Sequence, residues 1–274
     1  MEVQKTDHYQ AGKERFLLLG PPGVGKSTLF NTLPGKKFAY VFDPNAVSSY
    51  RHPGIDFLEF YPDEVSVHAE PLSSKKKDSK AEAKEPTAYL EWETHFSKAL
   101  DNGFFDRYNV IGFDGWTAFQ RLVMDRTMWL AGRFGQWPTE GDYAPIVNPI
   151  LNAARALTGL NATIFTTGHL IERTGKDRGK PDRLSLYTNP VRSTLPGLFT
   201  DIYRCIPDVD SNNERHFYVV TAQSRENAYL RCSLPGVGVE EEVTIPDDGW
   251  RTPENYGLGR LLKIAPPAQL TKEQ

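Results

Sequence analysis

Gly20, Gly25, Lys26 and Ser27 occupy the fixed positions of G-x-x-x-x-G-K-[ST] in GPPGVGKST, residues 20–28. That spacing suits a polyanion. Glycines allow backbone conformations that turn successive N–H groups inward, and a helix starting there aims its positive end at the same point. Gly20, Pro22, Gly23, Val24, Gly25, Lys26, Ser27 and Thr28 are the expected nucleotide-binding residues, with Lys26 on the β- and γ-phosphates and the Ser27 hydroxyl on Mg²⁺. A triphosphate site also needs an acid for the metal, at the end of a buried strand that can aim a carboxylate. VIGFD ends in Asp114, which is the expected second magnesium ligand. Capping of the next helix is the alternative role for such an acid.

These groups need a scaffold, and the apolar pattern outlines one. FLLL (16–19) reads as a short buried strand before the loop, and residues 26–33 as a short helix stopped by Pro34-Gly35. FAYVF (38–42) is a second strand ending at Asp43, and IDFLEF (55–60) a third. Tyr89, Trp92, Phe96 and Leu100 recur at helical spacing, forming a core-facing stripe. YNVIGFDGW (108–116) is a buried strand, followed by helices over 117–134 and 144–159, with Pro149 bending or restarting the second. NATIFTTGH (161–169) is the next strand, and DIYRCI, HFYVV and AYLRC read as short late strands. The expected fold is α/β. A mostly parallel central sheet is flanked by helices, with antiparallel strands added at the C-terminal end.

With 274 residues, the chain suits one large domain, placed at 15–265. A polar arm (1–14), a charged insertion (73–86) and a polar tail (266–274) lie outside the packed core. A formal net charge of −3 gives no global nucleic-acid signal, so any such site must be a local basic patch. The two cysteines, Cys205 and Cys232, read as buried thiols in a reducing cytosol rather than a disulfide framework. The six histidines form no zinc pattern. Neither a signal-peptide core nor a membrane span is expected. No N-K-x-D guanine-reading segment is present, which favours ATP.

Asp114 lies far along the chain from Lys26, with at least two candidate strands between them. That order differs from many small-molecule kinases, whose magnesium acid follows much sooner. Four ordered segments carry a resemblance: GPPGVGKSTLFNTLPGKKFAYVFDPN, NVIGFDGWTAF, ATIFTTGHLIER and LPGLFTDIYR. Together they resemble the phage-type P-loop ATPases with a RecA-like core, which are AAA-domain ATP-binding proteins. Some of that family are single-strand annealing proteins of phage recombination. The resemblance spans roughly residues 15–232.

It implies a RecA-like ATPase using ATP and Mg²⁺ and assembling as a homo-oligomer, ring or filament. Single-stranded DNA and a single-strand binding protein are the implied partners. The implied location is the cytoplasm, that of the host if the chain is phage-encoded. Residue by residue, Asn45 stands where the family places its water-polarising glutamate. Either Asp43 serves as the base, or it anchors a turn with Pro44 and hydrolysis is slow. His169 matches the position that senses the γ-phosphate. The segment 171–192 matches the DNA-binding loop, with Arg173, Lys176, Arg178, Lys180, Arg183 and Arg192 as cations and Tyr187 as a stacking side chain. Acids within it reduce its net charge to +3. Arg225, or secondarily Arg231, stands at the position of the finger reaching a neighbour's γ-phosphate. Two other readings stay open: a P-loop phosphotransferase with an arginine-rich lid at 171–183, and a nucleotide-binding scaffold with little turnover.

Overall fold

The computed structural model describes residues 14–62, 84–171, 182–224 and 227–264. The elements run β1 (Arg15–Leu19), β2 (Lys37–Val41), β3 (Ile55–Glu59), α1 (Ala88–Asp101), β4 (Val110–Asp114), α2 (Trp116–Leu130) and α3 (Glu140–Tyr143). They continue as α4 (Val147–Thr158), β5 (Thr163–Gly168), β6 (Leu170–Ile171), β7 (Arg183–Leu184) and α5 (Asn189–Thr194). The last are β8 (Asp201–Val209), β9 (Arg215–Val220), β10 (Glu240–Glu242) and α6 (Gly257–Ile264).

Eight strands form one sheet in the order β10-β9-β8-β1-β5-β4-β2-β3. From β8 to β3 every pairing is parallel, and β9 and β10 add antiparallel. This is the expected α/β arrangement, a mostly parallel sheet with antiparallel strands added at the C-terminal end. The strand between the phosphate-loop strand β1 and β4, which carries the expected magnesium acid, is β5, which leads into His169. Parallel strands covered on both faces need apolar side chains throughout. β1, β2, β4 and β5 are accordingly buried along almost their whole length.

Each face carries its own core. On one, α1, α2, α4 and α5 pack an aromatic-rich cluster including Phe42, Trp92, Phe113, Trp116 and Phe119. On the other, Phe16, Leu29, Phe30, Tyr50, Phe165 and Leu258 pack beneath the phosphate loop and α6. Each such side chain contributes on the order of 1.5–3 kcal/mol by burial, which makes the strand ends above them rigid mounts.

Several local expectations need correction. The turn after the phosphate loop is a 3₁₀ helix, Ser27–Thr32, because Leu29 N bonds Lys26 O as well as Gly25 O. Leu100 is exposed, and Ala99 fills the core in its place as the stripe drifts around α1. The α2 helix stops at Leu130, and α4 starts at Val147 with Pro149 in its first turn, where a missing N–H costs nothing. AYLRC forms no strand. Residues 228–229 turn, and one antiparallel bridge joins Arg231 to Ile202. Among the described residues no helix is long and apolar enough to cross a membrane.

Candidate active site

The phosphate loop joins the end of β1 to the 3₁₀ turn. Gly20 has φ +154°, and a Cβ there would stand 2.7 Å from the Cys205 carbonyl oxygen of β8. Gly25 has φ +78°, with the Phe217 ring 3.4 Å from its hypothetical Cβ. Both positions therefore exclude side chains. Lys26 is buried, and its Nζ donates to the carbonyls of Gly20 (3.0 Å) and Pro21 (2.6 Å). Desolvation lowers its pKa, against the opposing pull of Cys205, Asp114 and Asp43. Burial also raises the Cys205 thiol to about 12, so it packs as a neutral group behind the loop. Cys205 is thus the expected buried thiol, while Cys232 is half-buried and bonded to the Tyr203 hydroxyl at 3.2 Å; both are free.

A cleft of about 470 Å³ lies over the loop. It brings together seven of the eight expected loop residues (Pro22 to Thr28) with Asp43, Asn45, Asp114 and His169. Gly20 sits just behind, as the buried hinge.

Asp114 ends β4 and is 4% exposed, so its orientation depends on its partners. Its Oδ2 accepts from the Tyr50 hydroxyl at 2.8 Å, and its Oδ1 accepts from the Thr167 hydroxyl. The Ser27 side chain lies close enough to the Tyr50 oxygen to act on it. Ser27 and Asp114, the two expected metal ligands, therefore converge on one phenol. Hard oxygen donors of this kind fit Mg²⁺. Burial and the Asp114 charge raise the Tyr50 pKa, so it remains a neutral donor.

Neither Tyr50 nor Thr167 was visible as a site residue, because one reaches Asp114 from the turn after β2 and the other from β5 rather than through local spacing. Tyr50→Phe keeps the ring and removes this link. A buried hydrogen bond to a charged group contributes roughly 1.5–3 kcal/mol. The variant should unfold at lower denaturant and require several-fold more Mg²⁺ for half-maximal turnover. Wild-type magnesium dependence would remove Tyr50 from the metal site.

Asp43 and His169 face the loop from two strand ends. Asp43 Oδ1 accepts from the Asn45 backbone N–H (2.9 Å) and side-chain amide (3.0 Å), so it does anchor the turn over Pro44–Tyr50. The same carboxylate lies close enough to Lys26 and His169 for their charges to interact. His169 is half-buried, its N–H bonded to Thr117 Oγ1 at 3.1 Å. Its buried Nδ1 has no hydrogen-bond partner among the described residues. Desolvation, then Lys26, hold its pKa below the usual imidazole value, so the ring is neutral at pH 7.

A bound polyanion pulls that pKa upward, and by linkage affinity must rise as pH falls through the histidine range. Nucleotide affinity should therefore rise between about pH 7.5 and 5.5, by up to about tenfold per unit of pKa shift. His169→Gln should flatten the profile. Parallel wild-type and variant profiles would place His169 outside the phosphate's reach.

Beyond His169 the chain enters the β6–β7 ribbon. Arg173, Lys176, Arg178 and Lys180 lie outside the described residues, as does Arg225. Arg183 is exposed on β7. Arg192 is used structurally, its Nε donating to Leu186 O at 2.6 Å. Tyr187 is 42% exposed, its ring edge-on to Tyr143 at 5.9 Å. Arg231 does not line the cleft; its guanidinium donates to the Pro196 carbonyl, so the secondary finger candidate is tied to its own chain. Buried Gln120 of α2 holds the ribbon's exit, donating to Ser185 O (2.8 Å) and accepting from Tyr187 N (2.7 Å). On β8, Arg204 pairs with Asp182 at 2.8 Å and donates to Asn227 Oδ1 at 3.0 Å. One guanidinium thus joins the residues flanking 172–181 and 225–226.

The strand order and the cleft point the same way as the comparison with known families. Residues 12–227 match the family described as "AAA domain". The chain belongs to this family. It is accordingly a P-loop nucleoside-triphosphatase-type protein. No curated protein matches the chain. Among solved structures it is similar to the flagellar accessory protein FlaH from Methanocaldococcus jannaschii. That match has 10% identity and a TM-score of 0.39, and covers 86% of this chain and 87% of that one.

Proposed function

We propose that this AAA-domain protein hydrolyses ATP with Mg²⁺, assembles as a homo-oligomer, and couples nucleotide state to its grip on single-stranded DNA, as in phage-type recombination or annealing. The observation that carries this is the path from His169. The residue lines the phosphate cleft, and the chain runs from it directly into the ribbon that holds the arginine- and lysine-rich segment.

The loop N–H groups and Lys26 hold the β- and γ-phosphates. Ser27 and Asp114 would hold Mg²⁺, which neutralises charge developing on the phosphate oxygens. Tyr50 and Thr167 fix the Asp114 carboxylate. Asp43 is the side chain best placed to orient the attacking water, and Asn45, lacking a basic oxygen, is not. His169 offers a ring nitrogen to the terminal phosphate, and departure of that phosphate loosens the grip on DNA. Arg225 of a neighbouring subunit supplies the cation that completes the site. A cytoplasmic location and a single-strand binding protein as partner go with this reading. The position of β5 between β1 and β4 supports an ATPase over a phosphotransferase with an arginine lid.

Replacing Arg178 and Lys180 together by alanine tests the polymer partner. Binding to single-stranded DNA should weaken. The slope of log affinity against log salt should fall by roughly 1.4, about 0.7 for each DNA phosphate no longer neutralised. An unchanged slope would exclude the segment from the DNA site.

A further inference from the structure

The phosphate end of the cleft accounts for only part of its wall. Phe217, Val243, Ile245 and Trp250 also line it, and none carries a charge that would hold a phosphate. β9, which carries Phe217, lies two strands from β1 on the side opposite β4. With the terminal phosphate drawn towards Asp114, a nucleoside leaves the loop towards this apolar side. Val243 N–H donates to Phe217 O at 2.7 Å and Phe217 N–H to Thr244 Oγ1 at 2.9 Å, so the segment after β10 is fixed to β9. The chain then crosses the loop face. There Trp250 stacks on His52 with ring centroids 4.9 Å apart and planes within 5° of parallel. Trp250 is 37% exposed while lining the cleft.

A flat indole, backed by a second ring and facing a phosphate site, is suited to stacking a nucleobase. We propose that Trp250, supported by His52 and flanked by Ile245, Val243 and Phe217, is the platform for the base of the bound nucleotide. This deepens the proposed function and rests on the cleft being a nucleotide site. An apolar wall recognises a ring face rather than a pattern of donors and acceptors, and every base has such a face. The platform therefore accepts either purine, and ATP is held as a purine nucleotide rather than read as adenine.

Calorimetric titration of the full chain tests this with three probes in Mg²⁺: ATP, GTP and inorganic tripolyphosphate, which lacks a base. Wild type should bind ATP and GTP within a few-fold of each other. Trp250→Ala should weaken both about tenfold, in the range of base–aromatic stacking, and leave tripolyphosphate unchanged. Trp250→Phe should recover most of the loss, since it restores a ring. Unchanged ATP affinity in Trp250→Ala would overturn the platform. So would an equal loss of ATP and tripolyphosphate, which would make Trp250 a support of the loop. Binding of ATP without GTP by wild type would overturn the purine tolerance. If wild type binds neither ATP nor tripolyphosphate, the nucleotide site itself has failed, and the platform with it.

Discussion

Lys26→Ala should abolish ATP turnover and nucleotide-driven assembly while leaving the monomer folded. Its ammonium is the fixed cation of the loop, held by two loop carbonyls and drawn towards Asp114 and Asp43. Removing one donor aimed at developing charge commonly costs on the order of 10²–10³ in rate. Here the same group also supplies ground-state phosphate binding, so affinity falls as well. The structural cost is small by comparison. Two charge-assisted hydrogen bonds to loop carbonyls disappear, each contributing roughly 1.5–3 kcal/mol, offset by relief of the ammonium's desolvation. Phosphate release, size-exclusion profiles with and without ATP, and a denaturant melt on one preparation separate these effects. Intact ATP-driven assembly in the variant would refute the phosphate-loop assignment.

Asp114→Asn has the second largest effect and a different signature. The carboxylate accepts from Tyr50 through one oxygen and from Thr167 through the other. An amide keeps one acceptor and presents an NH₂ to the second hydroxyl, whose oxygen can accept from it but whose O–H loses its carboxylate acceptor, at a cost of roughly 1–3 kcal/mol. Its neutral oxygen is also a poor ligand for a hard dication. Turnover should fall by on the order of 10²–10³ and respond weakly to added Mg²⁺, with nucleotide binding through Lys26 and the loop N–H groups largely kept. Normal magnesium dependence would remove Asp114 from the metal site and leave it as the acceptor that ties Tyr50 to Thr167.

What could be read without coordinates follows from how each signal is encoded. The phosphate loop and Asp114 were legible because their chemistry is local: glycines at fixed spacing, and an acid directly after an apolar run. The position of β5 beside β1 was legible only as a class, from the order of segments. Tyr50 and Thr167 were not legible, because their hydroxyls meet Asp114 from the turn after β2 and from β5, and no periodicity records such a meeting. Trp250 and Phe217 were missed for the same reason, since β9 and the segment after β10 return to the loop from the far end of the chain. Leu100 failed because a stripe read at four-residue steps drifts off a 3.6-residue helix by its last turn. AYLRC failed because apolar alternation over so short a run cannot distinguish a strand from a turn with one bridge. Asp43 carried two readings. Its bonds to Asn45 settle the turn, and its place beside Lys26 and His169 supports the proposed role towards water.

ATP hydrolysis, measured with and without single-stranded DNA at low and moderate salt, with particle size determined on the same samples, tests the central claim most directly. Turnover stimulated by DNA, more strongly at low salt, together with a larger particle when ATP is added, is the predicted result. Turnover indifferent to DNA, from a protein that stays monomeric throughout, would contradict it.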